Sequence, residues 1–202
     1  REKIAADVQY ILDWDGSPDL KSGAPTLFTL WTYELNNRKV TLEVALLERD
    51  PESLTEEDAF ELFDAMKGAR KRQRKLLPFP TKIPWALVHI IRKAGRVFPV
   101  ETGMYPAISL MNANIDLTKP DLKSLTCRIG SSYVALHELS DPPVSFSVTP
   151  LGQTDKAELP YVCASTELFA KRQLKPLPFT DEQLAEVETT ETVLSFTRKK
   201  SD

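Results

Sequence analysis

Two histidines, His89 and His137, and two cysteines, Cys127 and Cys163, are the side chains best suited to proton transfer, nucleophilic attack or metal ligation in this sequence. A histidine acting as general base needs a nucleophile within hydrogen-bond reach and a third group that orients its ring. Spacing places neither here. Each histidine falls inside a run that reads as a β-strand, so both read as partly buried structural imidazoles. A zinc site asks for several ligands at recognisable intervals, which these scattered residues do not supply, so no metal is expected. With no CxxC spacing, the cysteines cannot be paired from sequence. The G-x-S-x-G elbow, the Walker loop, the dinucleotide glycine fingerprint and HExxH are all missing, and no cofactor is expected.

The densest charge run, Lys67, Arg70, Lys71, Arg72, Arg74 and Lys75, could track a phosphate backbone. Few aromatics interleave it for base stacking, however, and it closes an expected helix, where cations favour the dipole and stay solvated. A solvated helix end is therefore the expectation, with no nucleic acid as partner. The acidic pairs Glu56–Glu57 and Asp181–Glu182 fall where helix starts favour negative charge. A formal charge of -3 and a pI near 5.6 give no general pull toward nucleic acid or an anionic membrane. No apolar run approaches the roughly 18 residues of a membrane span, and the N-terminus has no signal-peptide pattern. Arg1 in place of Met reads as the start of a processed or trimmed chain.

The elements that must position these groups belong to a chain of 202 residues, 42% apolar and 27% charged, long enough to bury a core. Ile4, Val8, Ile11 and Leu12 predict an amphipathic helix over 2–14 that Asp15-Gly16 ends. A second helix begins near Pro25 and buries Leu27, Phe28, Trp31 and Leu35. Ser53 and Thr55 ahead of Glu56 and Asp58 predict a capped third helix with Ala59, Leu62, Phe63 and Met66 on its apolar face. The run 40–47 fits strand or helix. Beyond Pro78 short β-type runs take over, with hairpins expected from 87–91 with 97–100 across Lys93-Ala94-Gly95-Arg96 and from 133–139 with 144–148 across Ser140-Asp141-Pro142-Pro143. Alternation in the last of these makes Val144, Phe146 and Val148 a dry face and Ser145, Ser147 and Thr149 a polar one. Thr180-Asp181-Glu182-Gln183 is a capping box for a short helix through Leu184 and Val187. The expected class is α+β, with a helical segment over 1–77 and a mainly antiparallel segment with a closing helix over 78–202, together one structural unit.

The motifs follow a family order. Leu12-Asp13-Trp14-Asp15-Gly16, Thr26-Leu27-Phe28 with Trp31, Pro84-Trp85 with Val88-His89, Gly130-Ser131-Ser132-Tyr133-Val134 and Gly152-Gln153 together resemble the C-terminal part of the penicillin acylase family. The run from Glu167 through Pro178-Phe179-Thr180 resembles its closing helix and Pro-Phe-Thr step. Within the family the likeness is to acyl-homoserine lactone and aculeacin A acylases. It implies an N-terminal-nucleophile hydrolase with αββα architecture, of which this chain is part of a larger domain, made by autocatalytic processing of a precursor. It implies hydrolysis of linear amides in acylated small molecules, among them acyl-homoserine lactones, lipopeptides and β-lactams, and a periplasmic or extracellular location. The implied partners are the remainder of the acylase, meaning the smaller chain and the N-terminal part of the larger one, and the acylated substrate.

Such chemistry needs Ser, Thr or Cys with a free α-amine, because a hydroxyl or thiol attacks and the amine takes its proton. The guanidinium of Arg1 does neither, so no catalytic residue is assigned here and the substrate-binding residues stay unassigned. The resemblance gives Gly152-Gln153 an architectural role, a turn with its main-chain groups satisfied. Departures from the family pattern fall at Tyr161, Val162, Ala164 and Ser165 in the following loop, and at Ala86 after Trp85. They keep a second expectation open, a non-catalytic scaffold or binding module derived from such an acylase.

Overall fold

Ile4, Val8 and Ile11 recur at helical spacing, and helix α1 (Glu2–Leu12) turns them toward the neighbouring helices. The computed structural model describes residues 2–37, 51–76, 82–103, 111–115, 126–152 and 154–187. Helix α2 (Ala24–Asn37) opens on Ala24-Pro25 and buries Leu27, Leu30 and Leu35. Phe28 and Trp31 are only half-buried; they continue an aromatic row from Trp14, with centroids 5.5 and 6.0 Å apart along it. A 3-10 turn (Pro51–Ser53) leads into helix α3 (Glu56–Leu76). Its cap is reciprocal: Thr55 Oγ1 accepts from the Asp58 amide at 3.1 Å and the Asp58 carboxylate accepts from the Thr55 amide at 3.0 Å.

The buried stripe of α3 is Ala65, Met66 and Ala69, with Gln73. Ala59, expected on that stripe, is exposed. Packing begins one turn later, where the Trp31 indole donates to the Leu62 carbonyl at 3.0 Å. The run 40–47 lies outside the described residues.

Trp85–Val88 forms a helical turn, α4, so the first hairpin starts at Ile90 rather than Leu87, and His89 closes a turn instead of lying in a strand. The cause is tertiary. The Trp85 amide donates to Ser22 at 2.9 Å and the Ala86 amide to Leu20 at 3.0 Å, which fixes the segment against the α1–α2 loop and overrides its β propensity. Strands β1 (Ile90–Lys93) and β2 (Arg96–Pro99) pair antiparallel through the left-handed turn Ala94-Gly95. Strands β3 (Ala113–Ile115) and β4 (Cys127–Gly130) make a second antiparallel pair. β5 (Val134–Glu138), β6 (Val144–Val148) and β7 (Lys175–Pro176) make a sheet with β6 in the middle. Helix α5 (Ala164–Ala170) and helix α6 (Asp181–Ala185) complete an α+β order. The Thr180 capping box forms as expected, with Gln183 accepting from the Thr180 amide at 3.2 Å and donating its own amide to Thr180 Oγ1 at 3.3 Å.

The expected faces of β6 hold only in part: Val148 is buried and Phe146 half-buried as the alternation requires, but the polar face is not exposed. Ser145 and Ser147 are buried, whereas Val144 is 37% exposed. Ser145 pairs with His137, whose Nδ1 lies 2.9 Å from its Oγ, and Ser147 lies opposite Ala135 and Lys175. Val144 instead ends the strand beside the Pro142-Pro143 turn.

Two apolar clusters result. One joins α1, α2 and α3 to Ile83, Trp85, Val88 and Ile115; the other joins β1, β2 and β3 to Val148, Val162 and Phe169. Cys127 packs against both.

Candidate functional site

A cavity of about 400 Å³ opens where β1, the β3–β4 pair and the Thr149–Gly152 turn meet. Ile91, Ala113 and Phe169 give it an apolar floor, and Asn112, Ser131 and Thr149 give it a polar edge. Its far wall is a turn closed by the Gly152 amide on the Thr149 carbonyl at 2.8 Å, with Gly152 at φ +69. A Cβ at Gly152 would meet nothing nearer than 3.8 Å, so left-handed backbone rather than lack of space calls for glycine. The near wall has the opposite requirement. A Cβ at Gly130 would collide with the Asn112 carbonyl oxygen and come within 2.9 Å of the Ala113 Cα, so glycine lets β3 and β4 approach.

Lys93 fastens the turn from below. Its ammonium is buried, donates to the Leu151 carbonyl and reaches the exposed Asp155 carboxylate at 3.3 Å. Sequence pattern assigns Lys93 to the hairpin turn, but β1 runs through it, and alternation sets it on the same side as Ile91. Gln153 lies outside the described residues.

The hydroxyls and the thiol at the cavity have no base to activate them among the described residues. Ser131 Oγ accepts from the Asn112 amide at 3.2 Å, and the Ser131 amide donates to the Asn112 carbonyl at 2.9 Å, so this serine ties two strands together. Burial pushes the Cys127 thiol up to about 12, which keeps it protonated and unreactive at neutral pH. Cys163 is a free, buried thiol that donates weakly to the Lys93 carbonyl at 3.8 Å.

Neither histidine lines the cavity. His137 lies in β5 as expected, with Nδ1 2.9 Å from Ser145 Oγ. That contact is the cross-strand pair of β5 and β6, and its serine is only 4% exposed, too covered to meet a substrate. His89 is fully buried and stacked on Trp85, held between the carbonyls of Val100 and Ala113. Burial pushes its imidazole below the ordinary range, while the two carbonyls pull it back up. Among the described residues no cluster of His, Cys, Asp and Glu could hold a metal ion, and no helix is long and apolar enough to cross a membrane.

Lys71, Arg74 and Lys75 are exposed, as expected of a solvated helix end, but other members of the basic run are tied into the bundle. Arg70 pairs with Asp7 and donates to the Lys3 carbonyl at 2.9 Å, tying α3 to α1. Arg72 pairs with Glu34 at 2.7 Å and lies over the Tyr33 ring, tying α3 to α2. Lys67 pairs with Asp64 at 3.2 Å. Charges committed to neighbouring helices are poorly placed to follow a phosphate backbone.

The model of the penicillin amidase family matches residues 1–186. The chain belongs to the penicillin amidase family. Membership implies an amide-bond hydrolase. No curated protein matches the sequence. In the loop where this family member departs from the acylase pattern, Val162 is buried in the second cluster and Tyr161 is exposed. Successive turns carry that loop, with the Leu159, Val162 and Ala164 amides each bonded at 3.1 Å three residues back.

Proposed function

We propose that this chain is the C-terminal segment of a penicillin-acylase-like amidohydrolase of the N-terminal-nucleophile class, with its nucleophile supplied by sequence outside the chain. The assembled enzyme cleaves the amide of an acylated small molecule, an acyl-homoserine lactone, a lipopeptide or a β-lactam. One observation carries the reading: in a family of amide hydrolases, the Ser, Thr and Cys side chains around this cavity have no base beside them among the described residues. Amide hydrolysis through a Ser, Thr or Cys nucleophile needs such a pair, or a hydroxyl or thiol beside its own α-amine.

The surface of the β5–β6–β7 sheet supports a partner. Leu136 is 62% exposed and stands in register with Phe146 and Pro176, a row suited to burial against another polypeptide. The partner is the remainder of the acylase, processed from a common precursor and working in the periplasm or outside the cell. Mixing the chain with a polypeptide that begins with Ser, Thr or Cys and completes the acylase should give hydrolysis of an acyl-amide substrate that neither gives alone. Hydrolysis by this chain alone would overturn the reading. A second reading, a non-catalytic scaffold derived from an acylase, is favoured by the departures at Tyr161, Val162, Ala164 and Ser165. It predicts a stable complex without turnover.

A further inference from the structure

Where the three helices meet the segment at Lys82, a small cavity of about 40 Å³ is lined by Asp7 and Tyr10 of α1, by Arg70, Gln73 and Arg74 of α3, and by Lys82. About 10–15 Å³ is enough for one water, so the space takes a few waters or one compact ion and no chain. Three cations face one carboxylate there, which leaves two positive charges in excess among the described residues. None of these residues lines the larger cavity.

The walls present donors. Tyr10 Oη accepts from the Gly23 amide at 3.1 Å, so its own hydrogen remains to be donated. Gln73 is only 7% exposed; its carbonyl oxygen accepts from the Lys82 and Ile83 amides at 3.3 Å, and its NH2 end remains a donor. A buried NH2 calls for an acceptor, and an anion in the cavity supplies one. Arg70 meets Asp7 and the Lys3 carbonyl through Nη1, and its guanidinium carries further N–H groups.

Lys82 reaches this place at a cost in backbone strain. Its φ is +60, in the left-handed region, and its main chain presses so close to Gly23 that a Cβ there would come within 2.8 Å of it. The ammonium that results stands 4.0 Å above the Tyr10 ring centre, on the cavity's rim. We propose that the cavity binds a phosphate-class oxyanion, gripped by Arg70, Arg74 and Lys82, with Tyr10 and Gln73 completing its hydrogen bonds. The ion ties α1 and α3 to the segment that leads into Trp85. Guanidinium groups suit the several oxygens of such an ion, whereas a singly charged carboxylate leaves part of the positive charge unmatched. The site does not depend on what supplies the nucleophile.

Inorganic phosphate titrated into the full chain at constant ionic strength should shift the NMR signals of the Gly23, Lys82 and Ile83 amides to saturation, and should raise the urea midpoint. Arg74→Gln and Lys82→Gln, changes at exposed side chains that spare the core, should each weaken binding about tenfold. Lys71→Gln removes the same charge from α3 at an exposed position outside the cavity, and should bind phosphate as the unaltered chain does. Shifts that never saturate, or an equal loss in Lys71→Gln, would mean diffuse surface charge and overturn the proposal. Acetate binding as tightly as phosphate would make the cavity a seat for a side-chain carboxylate and overturn the choice of ion.

Discussion

Helices α1–α3 bury much of the apolar stripe that their spacing marks, whereas the β5–β6–β7 sheet buries Val148 on its marked face and two serines on the other. In the bundle, Ile4, Leu27, Leu30, Met66 and Ala69 point inward as the period requires, and Arg70 and Arg72 close the rim with Asp7 and Glu34. In the sheet, two serines are buried and Leu136 is left largely exposed. A helix satisfies its own backbone, so its apolar stripe is settled before it meets a neighbour. A strand's burial depends on the strands and helices that come to lie around it, so alternation alone does not settle it.

The comparison breaks most sharply at Trp85, which is fully buried in the bundle's cluster and stacked on His89. Trp85→Ala should cost about 3–5 kcal/mol in urea denaturation, while Trp31→Ala, at a half-buried indole of the bundle, should cost clearly less. Equal costs would mean that Trp85 is no more sensitive than Trp31. Next comes Gly130→Ala, whose Cβ meets backbone that cannot swing away; a loss of about 1–3 kcal/mol is expected, along with faster amide exchange across β3–β4. Gly152→Ala should cost about 1–2 kcal/mol through its left-handed backbone alone, with the rest of the cavity unchanged by NMR. The smallest effect belongs to the rim of the bundle: Arg72→Ala should lower stability by about 0.2–1 kcal/mol, and the difference should shrink as salt is added. A salt-independent loss would point instead to the packing of Arg72 on Tyr33.

Much of the fold was legible locally. Thr55 with Asp58 and Thr180 with Gln183 announce helix starts because a cap is a contact between residues three apart. The hairpin turn at Ala94-Gly95 was equally plain. The β3–β4 pair was not, since three- and four-residue strands carry too little alternation to stand out from a loop. Of the cavity's lining, Gly152 and the Gly130-Ser131-Ser132 stretch stood out as motifs, with nothing in the sequence to join them. Asn112, Ser131 and Lys93 reach it from segments far apart in sequence, and no spacing rule connects them.

By itself the sequence determined the α+β class, the helix caps and the family, all of which reside in local spacing or in the order of motifs along the chain. Tertiary structure alone decided that Trp85–Val88 coils instead of extending, that the serines of β6 are covered, and that His89 stands between two carbonyls. Each of these depends on partners that arrive from distant parts of the chain. Their hydrogen bonds and bulk outweigh the roughly 1 kcal/mol by which local β preference favours one conformation over another.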